Sequence, residues 1–128
     1  MITIRASATV ALLTLATAGC GLFSAGPGAT STAFYRHLEK GEIEAARQML
    51  SSGFVAQLGE QKVRSALEQG AREISEKNGI KSIDIEREDV QGELATVSVR
   101  VTYGNDSNDT QNLKLSKENG EWKITPSK

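Results

Sequence analysis

Four side chains in this sequence pair a reactive or polar tip with apolar neighbours: Tyr35, His37, Tyr103 and Trp122. His37, the only histidine, lies three residues from Phe34 and one from Leu38. On a helix it would edge an apolar stripe, where an imidazole can exchange a proton near neutral pH. Tyr35 sits two residues before it. Tyr103 closes a run in which Val97, Val99 and Val101 alternate with polar residues, so its phenol is aimed at the same side as the valines. Trp122, the only tryptophan, alternates with Lys123 and is better suited to filling a core than to stacking a ligand. These four mark a candidate pocket, and none is assigned a catalytic role. No serine has a recognisable histidine and acid partner, and no glycine-rich phosphate loop is present. Asn105, Asp106, Asn108 and Asp109 gather oxygens in one stretch, but their spacing departs from a calcium loop and no glutamate closes it. The expectation is therefore no metal and no cofactor.

The remaining reactive group is the thiol of Cys20, the only cysteine. Upstream lie Arg5 and an apolar run from Ala6 to Ala18, then Gly19: a charged start, a short greasy middle and a small-residue exit, the plan of a secretory signal. The run is about 13 residues, too short for a spanning helix, which needs about 20. Ala18-Gly19-Cys20 resembles the end of a bacterial lipobox, although Thr17 stands where a branched residue is usual. In a lipobox the thiol takes a diacylglycerol and the signal is cut just before it. That reading also removes an unpaired thiol from an oxidising compartment. Cys20 is the expected lipidation site, with residues 1–19 as signal peptide. Gly21 follows the cysteine where inner-membrane retention typically uses aspartate, so the resemblance implies the cell envelope, outside the cytoplasm, with the outer membrane favoured where the host has one.

Removing residues 1–19 from the 128 leaves 109, enough for one domain with its own core. Lys and Arg number 15 against 16 Asp and Glu; losing Arg5 leaves 14 against 16, a formal charge of −2. The charges are scattered and no basic run occurs, which excludes a nucleic-acid partner. With the lone cysteine committed to lipid, no disulfide can brace the fold.

Residues 20–31, rich in Gly, Ala, Ser and Thr, read as the lipidated cysteine and a tether about 20 Å in reach. The domain is expected over residues 32–128, with Ser31 or Thr32 capping a first helix that carries Phe34 and Leu38. Past Gly41 a second short helix places Ile43, Ala46, Met49 and Leu50 on one stripe. Ser51 to Gly59, broken by Gly53 and Gly59, reads as irregular, with Phe54, Val55 and Leu58 free to plug a core. A long helix follows from Glu60 to Asn78, its stripe formed by Val63, Ala66, Leu67, Gly70 and Ile74 and its wet face by Glu60–Arg64, Glu68–Arg72 and Glu73–Lys77 pairs. Beyond Gly79 the period becomes two. Ile83 and Ile85; Val97, Val99 and Val101; Leu113 and Leu115; and Trp122 and Ile124 give four strands. Gln91-Gly92, a polar loop over Gly104–Asp109, and Asn119-Gly120 join them. The expectation is an α+β domain, helices packed on a curved four-stranded antiparallel meander.

This order of elements resembles the nuclear-transport-factor-2-like superfamily, and within it a branch of small bacterial lipoproteins. The residues that carry the likeness are the Phe34–Ala46 segment, Leu50-Ser51, Gly79–Ile83, Gly92–Val97 and the closing Glu118–Ile124. The resemblance implies a cone-shaped domain. Enzymes of the superfamily place an acid, a histidine or a tyrosine inside the cone, whereas the inward strand positions here are almost all hydrocarbon. The expected role is a lipid-anchored envelope protein whose partner is the membrane through its anchor, with a non-catalytic domain that binds a small apolar ligand or another envelope protein. The alternative is a small-molecule enzyme of isomerase, cyclase or dehydratase type, using a pocket near Tyr35, His37 and Tyr103.

Overall fold

The computed structural model describes residues 25–126. The expected signal peptide, Cys20 and the tether up to residue 24 lie outside the described residues.

Helix α1 spans Pro27–Glu39, five residues earlier than the expected domain start at residue 32. Residues 27–31 are therefore helix, not tether. Pro27 stands just past the N-cap Gly26, where its missing N–H costs nothing and its fixed φ suits the first turn. The free amide of Gly28 is met by the carboxylate of Glu88, 3.1 Å away on a strand sixty residues distant. Ser31 and Thr32 do not cap; their hydroxyls donate back to the carbonyls of Pro27 and Gly28 within the helix. Helix α2 covers Ile43–Gln48. The stretch expected to be irregular holds helix α3, Ser52–Leu58, because Ser51 accepts from the Phe54 amide and so supplies an N-cap that outweighs Gly53. Leu58 stays exposed rather than plugging the core. Helix α4 runs over Glu60–Glu76 and buries Val63, Leu67 and Ile74.

The four strands are β1 (Ile80–Gln91), β2 (Leu94–Tyr103), β3 (Asn108–Glu118) and β4 (Glu121–Thr125). They pair antiparallel in the order β1-β2-β3-β4, the expected meander. The β3–β4 turn puts Asn119 and Gly120 both at positive φ, as a two-residue hairpin turn of this hand requires. The concave face carries Val97, Val99, Val101, Leu113, Leu115, Trp122 and Ile124, all buried, with Phe34 and Leu38 of α1 and Val63, Leu67 and Ile74 of α4 in the same core. Ile83 is half-buried, and Ile85 is 36% exposed rather than a core residue. Register slips between Ile85 and Arg87, so that Glu88 sits opposite buried Val97 and faces α1. That bulge puts an acid where strict alternation would not, and thereby caps the helix.

Candidate functional site

A cavity of about 350 Å³ opens between α1, α4 and the β2–β3 face. Its floor is hydrocarbon: Phe34, Leu38, Val63, Leu67, Leu113 and Ile124. The polar groups stand on one side. Tyr35 comes from α1, Glu73 and Lys77 from the end of α4, Tyr103 from β2, and Asp109 and Gln111 from β3.

Each of these is set by its element. Tyr35 follows Phe34 on α1, and the two rings meet edge-on at 5.8 Å and 76°, which fixes the phenol against the core. Tyr103 ends the inward run of β2 and is buried. Val101 pairs with Asp109 and Val99 with Gln111, so both polar residues share the inward face with Leu113 and Leu115. Strand β3 thus begins inside the segment expected to be a loop, and its inward face is half polar and half apolar. Helix α4 ends in a left-handed stop at Asn78 and Gly79, with Gly79 N donating to the Ile74 carbonyl. The β2–β3 loop then docks on this stop: Gly104 N donates to the Gly79 carbonyl at 2.9 Å and Asn105 N to that of Lys77 at 3.0 Å. The docking brings Lys77 to Asp109.

Lys77 Nζ lies 3.3 Å from Asp109 Oδ2 and 4.4 Å from the centre of the Tyr103 ring. It does not join Glu73 in a wet-face pair as the four-residue spacing suggests; Glu73 instead accepts from Gln69. The other expected pairs rearrange too, Arg64 meeting Glu68 and Glu60 reaching Arg47 on α2. The hydrogen bond to Asp109 holds the Lys77 ammonium above its ordinary range. Burial, with Tyr103 and Asp109 nearby, pushes the Tyr35 phenol up to about 12. Burial also raises Tyr103, more than the neighbouring Lys77 lowers it. All three groups keep their protons at neutral pH.

Of the four candidate residues, the structure brings Tyr35 and Tyr103 to one cavity and leaves His37 and Trp122 out of its lining. His37 lies on another side of α1, its Nδ1 3.7 Å from a Glu42 carboxylate oxygen. Trp122 is buried near the start of α1, beside Ala25, Thr30 and Met49, with the Lys117 ammonium 5.3 Å from its ring centre. The loop oxygens disperse: Asp106 pairs with Lys81, Asn105 accepts from Ser107, and Asp109 takes Lys77. Among the described residues no three His, Cys, Asp or Glu side chains group as metal ligands, and no helix is long and apolar enough to cross a membrane. From the sequence Gln111 was not singled out, Asp109 figured only among the loop oxygens, and Glu73 and Lys77 only as a wet-face pair. The signal available for two of them was the period of two, which runs back from Leu115 and Leu113 through Gln111 to Asp109.

The same arrangement of helices on a curled sheet occurs in the crystal structure of a "Putative NTF2-like transpeptidase" from Campylobacter jejuni, with a TM-score of 0.70 over 78% of this chain and 97% of that one. The fold is NTF2-like. At 20% identity the likeness is one of NTF2-like architecture, and the transpeptidase name belongs to that protein. No protein-family model and no curated protein matches the chain.

Proposed function

We propose that this chain is a lipid-anchored protein of the bacterial cell envelope whose NTF2-like domain binds a small apolar molecule without transforming it. The observation that carries the binding reading is the cavity itself, a hydrocarbon floor with polar groups confined to one rim. A general acid or base works best with a pKa near the operating pH. Tyr35, Tyr103 and Lys77 are instead all held on the protonated side. The convergence of two phenols and Asp109 is what favours the alternative, an enzyme. Against it stands Asp109's engagement with Lys77, which leaves its carboxylate paired. The anchoring part rests on the signal-like run ending at Cys20.

Two measurements test the proposal. Cys20→Ser should move the protein from the detergent phase to the aqueous phase, because acyl chains supply the membrane affinity; equal partitioning of variant and wild type refutes lipidation. The uncharged fluorophore N-phenyl-1-naphthylamine should bind the Cys20→Ser chain saturably, one per domain. Ala66→Trp, which adds an indole at an exposed position of the cavity lining on α4, should weaken that binding while leaving a cooperative melt. Absence of saturable binding, or binding unaffected by Ala66→Trp, refutes the cavity as a ligand site.

A further inference from the structure

The charges on the rim of the cavity bear on which ligand head groups could enter it. Lys77, Asp109 and Glu73 sum to −1. The one cation is already engaged, by Asp109 Oδ2 at 3.3 Å and by the Tyr103 ring at 4.4 Å. A carboxylate entering here would meet two carboxylates for one ammonium, and would have to break the Lys77–Asp109 pair to gain it. An amine would have to displace Lys77 from the same carboxylate and the same ring. Either exchange trades one ion pair for another and adds the cost of desolvating the incoming charge.

The Tyr35 hydroxyl is in a different position. It lines the cavity beside Tyr103 and Asp109, and it has no hydrogen-bond partner among the described residues. The half-buried phenol is open to water, and a ligand that displaces that water leaves its donor unmet unless the ligand presents an acceptor. Gln111 adds an uncharged amide on the same rim. The volume, about 350 Å³, sits near the lower end of the range for ligand cavities, about 300–1,000 Å³, so the molecule is small.

We infer that the ligand is a small apolar molecule with an uncharged oxygen head, an alcohol or a ketone, whose oxygen accepts a hydrogen bond from Tyr35 and leaves the Lys77–Asp109 pair intact. This rests on the binding reading above. Tyr35 is then the residue that sets specificity, and the hydrocarbon floor supplies most of the affinity.

The test uses the Cys20→Ser chain, which carries no acyl chains to compete and differs only outside the described domain. N-phenyl-1-naphthylamine is displaced at neutral pH by 1-decanol, 2-decanone, decanoate or decylamine, each below its aggregation limit. The alcohol and the ketone should compete at least about tenfold better than the carboxylate and the amine. Tyr35→Phe should weaken both favoured probes by about 5- to 10-fold relative to the fluorophore in the same variant, the loss of one hydrogen bond. The ketone is informative because it can only accept. Tightest binding of decanoate, tightest binding of decylamine, or an unchanged response in Tyr35→Phe would each overturn the inference. So would a bound fluorophore that none of the four displaces. A fluorophore that does not bind at all refutes the binding reading instead.

Discussion

Replacing Gly104 with alanine should be the most damaging single methyl addition in this domain. A Cβ at that position would stand 2.9 Å from the carbonyl carbon of Asn78 and closer still to its oxygen, both backbone atoms with no rotamer to yield. The loop must lift off the end of α4. Lifting strains two backbone hydrogen bonds, from Gly104 N to the Gly79 carbonyl and from Asn105 N to the Lys77 carbonyl. Overpacking costs about 1–3 kcal/mol, and each lost net hydrogen bond about 1 kcal/mol. The expected destabilisation is thus about 3–5 kcal/mol, large against the whole stability of a domain this size. Urea melts of wild type and variant give the difference directly, provided the slope of the transition is unchanged. The same displacement should draw Lys77 away from Asp109, so the variant should also lose its preference among head groups. A cost below about 1 kcal/mol would mean that loop and helix end are not clamped as described, and the account of how Lys77 is positioned would fall with it.

Gly70 predicts the opposite sign. Its Cβ would rest 3.8 Å from a Leu38 methyl, an ordinary contact, so Gly70→Ala should raise stability by about 0.5–1 kcal/mol through helix propensity; a loss in the same melts would refute this. Truncating buried Trp122 to Ala should cost about 3–5 kcal/mol by denaturant unfolding, and a change under about 1 kcal/mol would show that it does not plug the end of the core. The Tyr35 phenol titrates near 12 when folded and at 10.0 ordinarily, so between those values the folded state holds the extra proton. Stability is then fully present below pH 10 and lost as pH rises towards 12, by about 2–3 kcal/mol from this group. Alkaline melts should show that part of the slope missing in Tyr35→Phe, and identical slopes would refute the burial of the phenol.

The strands were legible because their signal is local. Val97, Val99 and Val101 alternate strictly, and Asn119-Gly120 names its own turn, so the meander and its antiparallel sense followed. Helix α3 was locally legible as well, since Ser51 is a good cap, but two glycines hid it. The start of α1 was not legible, because what completes its first turn is Glu88, brought there by a bulge at Ile85–Arg87 that leaves no mark in a short window. The site divides the same way. Tyr35 and Tyr103 stand out as polar tips in apolar runs. Lys77 looked like a wet-face cation because a nearer acid, Glu73, offered a helical partner; only the docking of the β2–β3 loop gives it Asp109 instead. His37 looked like an edge of the pocket from its spacing to Phe34, yet a helix has room around it and the imidazole turns towards Glu42.

The early start of α1 bears on how the proposed lipid anchor would hold the domain. Only residues 21–25 separate Cys20 from the N-cap Gly26, and six residue steps span at most about 20 Å even when fully drawn out. A radius of gyration of about 13 Å, hence a half-width of about 17 Å, is typical of a domain of this size. A lipid on Cys20 would therefore hold the domain on a line hardly longer than its own half-width, fastened at the first turn of α1. Glu88 meets that turn, and Ile80, paired with Tyr103, lies eight residues further back along β1, about 26 Å away. Moored at one end, the molecule would carry its polar rim at the other, turned from the lipid and open to whatever diffuses through the aqueous space.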